Sequence, residues 1–139
     1  HRIDPDLGYD HVNLLAYNVV TGCTMMINQP ARQRAFPIPA KAYMHDWWIA
    51  IHVARFGFIE FVDRPLIKYR IHTSNASGTY RASWRYFIRR VFQVRSVLVE
   101  NIKIFRMLRL LDFKINWLDV IARKLRITMR RIFHSVQRA

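Results

Sequence analysis

A short segment in the first half of the chain, Tyr43-Met-His-Asp-Trp-Trp48, carries the carboxylate best suited to catalysis. As a general base, Asp46 would accept the proton of an attacking hydroxyl, an effect of about 10²–10⁴-fold in rate. As the N-cap of a helix, the same carboxylate would contribute about 1 kcal/mol of stability. The residues alone favour the cap and leave the base as the alternative. Of the two adjacent tryptophans, we expect one ring in the core and the other beside a site, where its face suits a sugar ring.

Metal-ligating patterns are weak in this chain. Its six histidines form no HExxH motif, and His45 and His52 are seven residues apart. The lone cysteine, Cys23, excludes an intrachain disulfide framework and a CxxC zinc site. His72 is the one histidine that we retain as a candidate functional residue, because it ends a predicted strand and begins a polar loop, where functional groups are common.

The positive charge is concentrated in the second half of the chain. Residues 76–139 hold 15 Lys and Arg against 3 Asp and Glu, a net of +12 out of the total of +14. Such an excess needs an anionic partner, and the predominance of arginine favours phosphate or carboxylate groups. An apolar content of 52% excludes a disordered chain. With no run of 18 uncharged apolar residues, a membrane-spanning helix is not expected.

Hydrophobic patterning and turn residues predict the elements that position these groups. A helix is expected from near Asp46 to Phe56, with Gly57 as a left-handed stop. Gln29–Phe36 is a short helix or turn, and two amphipathic basic helices follow Thr79, with a break around Leu111–Lys114. Short strands are predicted at Cys23–Ile27, Phe58–Val62 and Leu66–Ile71.

Several short segments stand in one order with short spacers between them. They are Asn18-Val-Val-Thr-Gly-Cys-Thr-Met-Met-Ile-Asn28, Met44-His-Asp-Trp-Trp48, Phe56-Gly57, Pro65-Leu-Ile-Lys-Tyr-Arg-Ile-His72 and Asn75. In this order they resemble the C-terminal, acceptor-side half of family 2 glycosyltransferases, in particular the bacterial rhamnosyltransferase-like enzymes of surface polysaccharide synthesis. The resemblance covers roughly residues 15–80.

The resemblance implies an α/β fold, a partial GT-A-type unit forming the acceptor half of a Rossmann-like sandwich. We expect residues 1–79 to form this acceptor-binding half and residues 80–139 to form the basic helical tail. The nucleotide-binding half, with the Asp-x-Asp that holds a divalent metal, is expected to be missing. The chain would then be a fragment, inactive alone, of an enzyme that uses Mg or Mn and a nucleotide-sugar donor.

The resemblance also implies roles for individual residues. Asp46 stands at the position of the catalytic base, which deprotonates the acceptor hydroxyl as it attacks the anomeric carbon with inversion. Thr21, Gly22 and Cys23 stand where the family lines the acceptor pocket. We expect Trp47 and Trp48 to shape that pocket. His72 falls near the position where some members contact metal or diphosphate.

The expected partners of the chain follow from its basic C-terminal tail, for which several interpretations are open. We expect residues 80–136 to hold the protein on an anionic membrane surface, the inner face of the cell membrane, where a saccharide or lipid-linked acceptor is presented. Alternatively, the apolar stripe of these helices packs on the domain or pairs the two helices. A pI of 11.1 with 18 arginines also fits a nucleic-acid-binding module, which the absence of a helix-turn-helix, RNP-like or zinc pattern disfavours. A catalytically inactive assembly fragment is the third alternative.

Overall fold

The computed structural model describes residues 5–68, 70 and 94–136, and within these ranges the protein is helical. The α-helices are α1 (His11–Ala16), α2 (Gln29–Ala35), α3 (His45–Phe56), α4 (Val94–Leu108) and α5 (Trp117–Val136). Two short 3₁₀ turns cover Pro5–Gly8 and Gly22–Thr24. Because the described ranges contain helices and no β-strand, the expected α/β, Rossmann-like GT-A architecture is wrong.

The segments predicted as strands have other conformations. Cys23–Ile27 begins inside the 3₁₀ turn and continues without regular structure, and 58–68 has no regular structure either. Phe58, Val62 and Leu66 are exposed there. A strand requires a neighbouring strand for its backbone hydrogen bonds, and an isolated hairpin is marginal in water. Residue 69 and residues 71–93, including the end of the third predicted strand, lie outside the described residues.

The predicted helices fare better than the strands, although their ends differ. Helices α2 and α3 are confirmed, and the break between α4 and α5 contains the predicted 111–114. Helix α3 begins at His45, with Met44 as its N-cap, two residues earlier than an N-cap at Asp46 would place it, so Asp46 lies in the first turn. Gly57 ends α3 with a φ of −160°, an extended conformation, so the predicted left-handed stop is wrong.

Side-chain caps begin the first two helices. The Asp10 carboxylate accepts a hydrogen bond from the Val12 N–H at 2.8 Å, and the Asn28 side chain accepts one from the Ala31 N–H at 3.0 Å. Each bond satisfies a backbone donor that has no partner within its own helix. These caps allow helices of only six and seven residues to form at defined positions.

One hydrophobic core joins the N-terminal segment to the basic helices. Helix α1 packs against α3 and α5, and α2 packs against α3. Leu14, Ile51 and Met107 are fully buried at the centre of this core. Val120 and Ile127 bring one face of α5 into it. The boundary that we expected at residues 79 and 80 lies outside the described residues.

Candidate functional site

The Asp46 side chain joins the first turn of α3 to a loop far away in the sequence. It is only 7% exposed. Its Oδ1 atom accepts hydrogen bonds from the Trp47 N–H at 2.7 Å and from the Asn18 side-chain amide at 3.4 Å. Its Oδ2 atom accepts one from the Gly22 N–H at 3.1 Å. The carboxylate therefore fixes the loop that contains Gly22 against the N-terminal end of α3, where a negative charge is favoured by the helix dipole.

Gly22 allows this close approach because it has no side chain. A Cβ atom at this position would lie 2.9 Å from His45 Nε2 and 3.4 Å from Asp46 Cβ. The described glycines all have negative φ values, so the requirement at Gly22 is for space rather than for a left-handed backbone. The loop would have to move away from α3, or the His45 ring would have to rotate, to admit a larger residue.

The surface beside the carboxylate is formed by the same turn. Thr21 and Cys23 are exposed on either side of Gly22, and His45 is exposed at the start of α3. The Thr24 hydroxyl closes the turn by donating a hydrogen bond to the Thr21 carbonyl at 2.9 Å. The structure thus brings together four of the residues singled out in the sequence: Thr21, Gly22, Cys23 and Asp46.

The two tryptophans lie elsewhere than we expected. Trp47 and Trp48 are each only 5% exposed, and both rings pack in the core. The indole N–H of Trp47 donates to the Leu14 carbonyl, and that of Trp48 donates to the Ala35 carbonyl at 2.8 Å. Buried rings cannot stack on a sugar at the surface. Their role is to hold α3, and with it Asp46, against α1 and α2.

The histidines do not form a metal centre in the part of the chain that is described. His52 is buried, lies against the Trp48 ring, and places its Nδ1 atom 2.9 Å from the Trp48 carbonyl oxygen. Residues 5–68, 70 and 94–136 contain no cluster of three or more His, Cys, Asp or Glu suited to a metal ion. His72, the expected metal contact, lies outside the described residues.

One residue of the site was missed by sequence reasoning. Asn18 donates to Asp46 and, through its Oδ1 atom, accepts a hydrogen bond from the Val20 N–H at 2.9 Å. An asparagine bonded to the backbone two residues later is a common turn-forming arrangement. The sequence signal was therefore present, since Asn18 opens the segment that includes Gly22, but nothing in the pattern indicated its partner 28 residues away.

The carboxylate retains capacity for another hydrogen bond. Two carboxylate oxygens offer about four acceptor positions, and the donors from Asn18, Gly22 and Trp47 occupy three of them. In the structure the carboxylate acts as a clamp that holds the Gly22 turn against α3.

Comparisons with protein-family models, curated proteins and solved structures found no match to this chain.

Among the described residues, the helices are all too short or too polar to cross a membrane.

Proposed function

We propose that this chain is the acceptor-binding part of an inverting glycosyltransferase that transfers a sugar from a nucleotide-sugar to a saccharide acceptor. The main support is the contact between the Asp46 carboxylate and the backbone of Gly22. The resemblance assigns these two residues separately, one as the base and one as part of the acceptor pocket, and they are 24 positions apart. Nothing in their spacing requires them to meet. The proposal concerns the activity and does not include the GT-A architecture, which the helical structure contradicts.

In this proposal Asp46 acts directly on the acceptor. The acceptor hydroxyl donates a hydrogen bond to the free position on the carboxylate and transfers its proton there as its oxygen attacks the anomeric carbon. The bond from that carbon to the diphosphate leaving group breaks, which inverts the configuration. Thr21 and Cys23, exposed beside Gly22, would contact the saccharide.

The remaining expectations for the enzyme stay proposals as well. A nucleotide-sugar donor and a divalent cation, Mg or Mn, belong to the complete reaction, and we assign no described residue to either. Trp47 and Trp48 are removed from the proposed pocket because both are buried. They position the catalytic residue through the packing of α3.

The test compares two substitutions in the native-length protein. Asp46→Asn removes the base, whereas Asn18→Ala removes a hydrogen-bond partner of the same carboxylate and leaves the base in place. Sugar transfer is measured with a panel of nucleotide-sugars as donors and the envelope saccharides of the source cells as acceptors. We expect Asp46→Asn to lower kcat by at least about 10²-fold with the donor KM nearly unchanged, and Asn18→Ala to retain kcat within about tenfold.

Both variants also disturb the loop. An asparagine at position 46 would present an N–H to one of the existing donors, and Asn18→Ala removes one of those donors. Urea denaturation of each variant therefore accompanies the kinetics. Equal losses of kcat in the two variants would show that Asp46 acts only as a clamp and would overturn the assignment. The absence of sugar transfer with every donor, by an unmodified full-length enzyme that includes the nucleotide-binding half, would overturn the proposed function itself.

A further inference from the structure

Helix α5 has apolar residues on two opposite faces. Val120 and Ile127 are buried and pack in the core beside α1. Arg123 fixes the rotation of the helix, because its guanidinium forms an ion pair with Asp10 and donates to the Asn13 side chain at 2.9 Å. With this face attached to α1, the opposite face of α5 must point away from the core.

That opposite face is a continuous apolar stripe. Leu118 is 80% exposed, Leu125 63% and Phe133 62%, and Ile121 and Met129 between them are also more than half exposed. We call these five residues the α5 stripe. Their spacing of three or four residues places them along one side of the helix. The sequence pattern left open that this stripe packs on the domain. In the structure the opposite face of α5 packs there, against α1.

Basic side chains border the stripe. Counting about 100° per residue, Arg126 and Arg130 fall on one side of it. On the other side, Lys124 donates a hydrogen bond to the Asn101 side chain of α4 at 2.7 Å, and the Arg131 guanidinium lies over the Tyr17 ring, 4.5 Å from its centroid. Five of the 20 residues of α5 are Lys or Arg, and one is acidic. That acid, Asp119, accepts a hydrogen bond from Arg123 at 3.3 Å. The stripe is therefore an apolar surface bordered along one side by Arg126 and Arg130, on a helix whose charge is strongly positive.

We propose that the α5 stripe binds the surface of a lipid bilayer that contains anionic lipids, with α5 lying parallel to the membrane plane. The five apolar side chains would enter the boundary between headgroups and acyl chains. The flanking cations would meet the lipid phosphates, which the guanidinium group binds through two hydrogen bonds. The helix is about 30 Å long, so it offers a linear contact rather than a single anchoring point.

Charge distinguishes this partner from two others. A second copy of the chain bound through the stripe would bring the basic borders of the two helices together, and like charges repel. A nucleic acid would neutralise the cations, but its phosphates would leave the large apolar side chains exposed to water. An anionic bilayer satisfies both the charge and the apolar surface. The inference uses α5 alone and does not rest on the proposed glycosyltransferase activity.

Vesicle flotation of the full chain tests the proposal. The vesicles are phosphatidylcholine alone, or phosphatidylcholine and phosphatidylglycerol at a ratio of about 3:1, a mixture chosen to give a negative surface potential. We expect binding to the anionic vesicles, weak binding to the neutral ones, and loss of binding in about 1 M salt, where the screening length falls to about 3 Å.

Two pairs of substitutions separate the apolar and the charged contributions. Leu118→Ser with Leu125→Ser should weaken binding by at least about tenfold, and Arg126→Gln with Arg130→Gln by about fivefold per side chain. The matched controls are Phe58→Ser with Leu66→Ser and Arg64→Gln with Lys68→Gln. All eight positions are exposed, so the fold should persist, which circular dichroism checks. The controls should bind like the parent.

Three results would overturn the proposal. One is equal binding to neutral and anionic vesicles. A second is unchanged binding after the double leucine substitution. The third is an absence of binding to the anionic vesicles. In that case, dimerisation in sedimentation equilibrium or tight binding to a duplex oligonucleotide would identify a different partner for α5.

Discussion

Each of the two adjacent tryptophans of α3 donates a hydrogen bond to a backbone carbonyl at the end of a different helix, and the contribution of these bonds to stability can be measured. Leu14 and Ala35 lie in the last turns of α1 and α2, where backbone carbonyls have no partner within their own helix. The indole N–H groups of Trp47 and Trp48 donate to these carbonyls. We therefore expect Trp47→Phe and Trp48→Phe to destabilise the protein although an aromatic ring remains in the core.

The expected magnitude follows from what each substitution removes. A buried carbonyl left without a donor costs about 1–3 kcal/mol. The smaller phenyl ring removes one or two buried carbon equivalents, at about 0.8 kcal/mol each. Each variant should thus lose about 2–4 kcal/mol of the free energy of unfolding, a large part of the 5–15 kcal/mol typical of a domain. With a urea m-value of about 2 kcal/mol/M, the midpoint should fall by about 1–2 M.

Urea denaturation followed by far-UV circular dichroism measures this loss without relying on tryptophan fluorescence, which the substitutions change. Trp117→Phe is the control, because that ring is only partly buried and lies against Phe105 at a centroid distance of 5.0 Å. It should lose less than about 1 kcal/mol. If Trp48→Phe were no more destabilising than Trp117→Phe, the carbonyl contact would contribute nothing and the reasoning would be refuted.

Two further predictions concern the contact between α1 and α5. A double-mutant cycle of Asp10→Ala and Arg123→Ala should give a coupling free energy of about 0.2–1 kcal/mol, because the pair is about one-third exposed. The coupling should shrink in about 1 M salt. Urea denaturation that showed no coupling at low salt would contradict the prediction. Burial and the nearby charge of Arg55 lower the pKa of His11 below its usual 6.5, against the opposing influence of Asp10 and Asp119. The folded state then binds the proton less readily than the unfolded chain, so stability should fall as the pH drops below about 6.5. His11→Gln should reduce this dependence between about pH 5 and 8, and identical pH profiles for parent and variant would disprove it.

Apart from α1, which was not predicted, the helices could be predicted from the sequence because their signals are local. Asn28 before Pro30 marks the start of α2, and the apolar spacing from Trp48 to Phe56 marks α3. Strands depend on partners at any distance along the chain, and a short apolar run such as 58–62 has the same pattern whether or not a partner exists. The wrong fold class came from the family resemblance, which implied a sheet, and the predicted strands that agreed with it rested on patterns that cannot establish a strand partner.

The candidate site shows the same division. The residue types of the His45-Asp46 segment and of the Thr21–Cys23 segment can be recognised in the sequence. The contact between the two segments is a tertiary contact that the sequence pattern does not indicate. The helix begins one residue before Asp46 rather than after it, and this difference changes the carboxylate from an expected cap into a group that holds the backbone of Gly22. A shift of two positions at a helix start is smaller than capping patterns can resolve.

Helix α5 shows why an amphipathic pattern does not by itself identify the surface that it contacts. Periodicity reports that apolar residues share one side of a helix, and the most apolar side is usually assigned to the core. In α5 the core contact is made by the less continuous face, through Val120, Ile127 and the paired Arg123. A charged residue can serve on a core-facing side when its partners, here Asp10 and Asn13, are supplied by the neighbouring helix. The stronger stripe is thereby left outside, with Arg126 and Arg130 beside it, and the anionic membrane surface that we propose as its partner would meet both its charge and its apolar area.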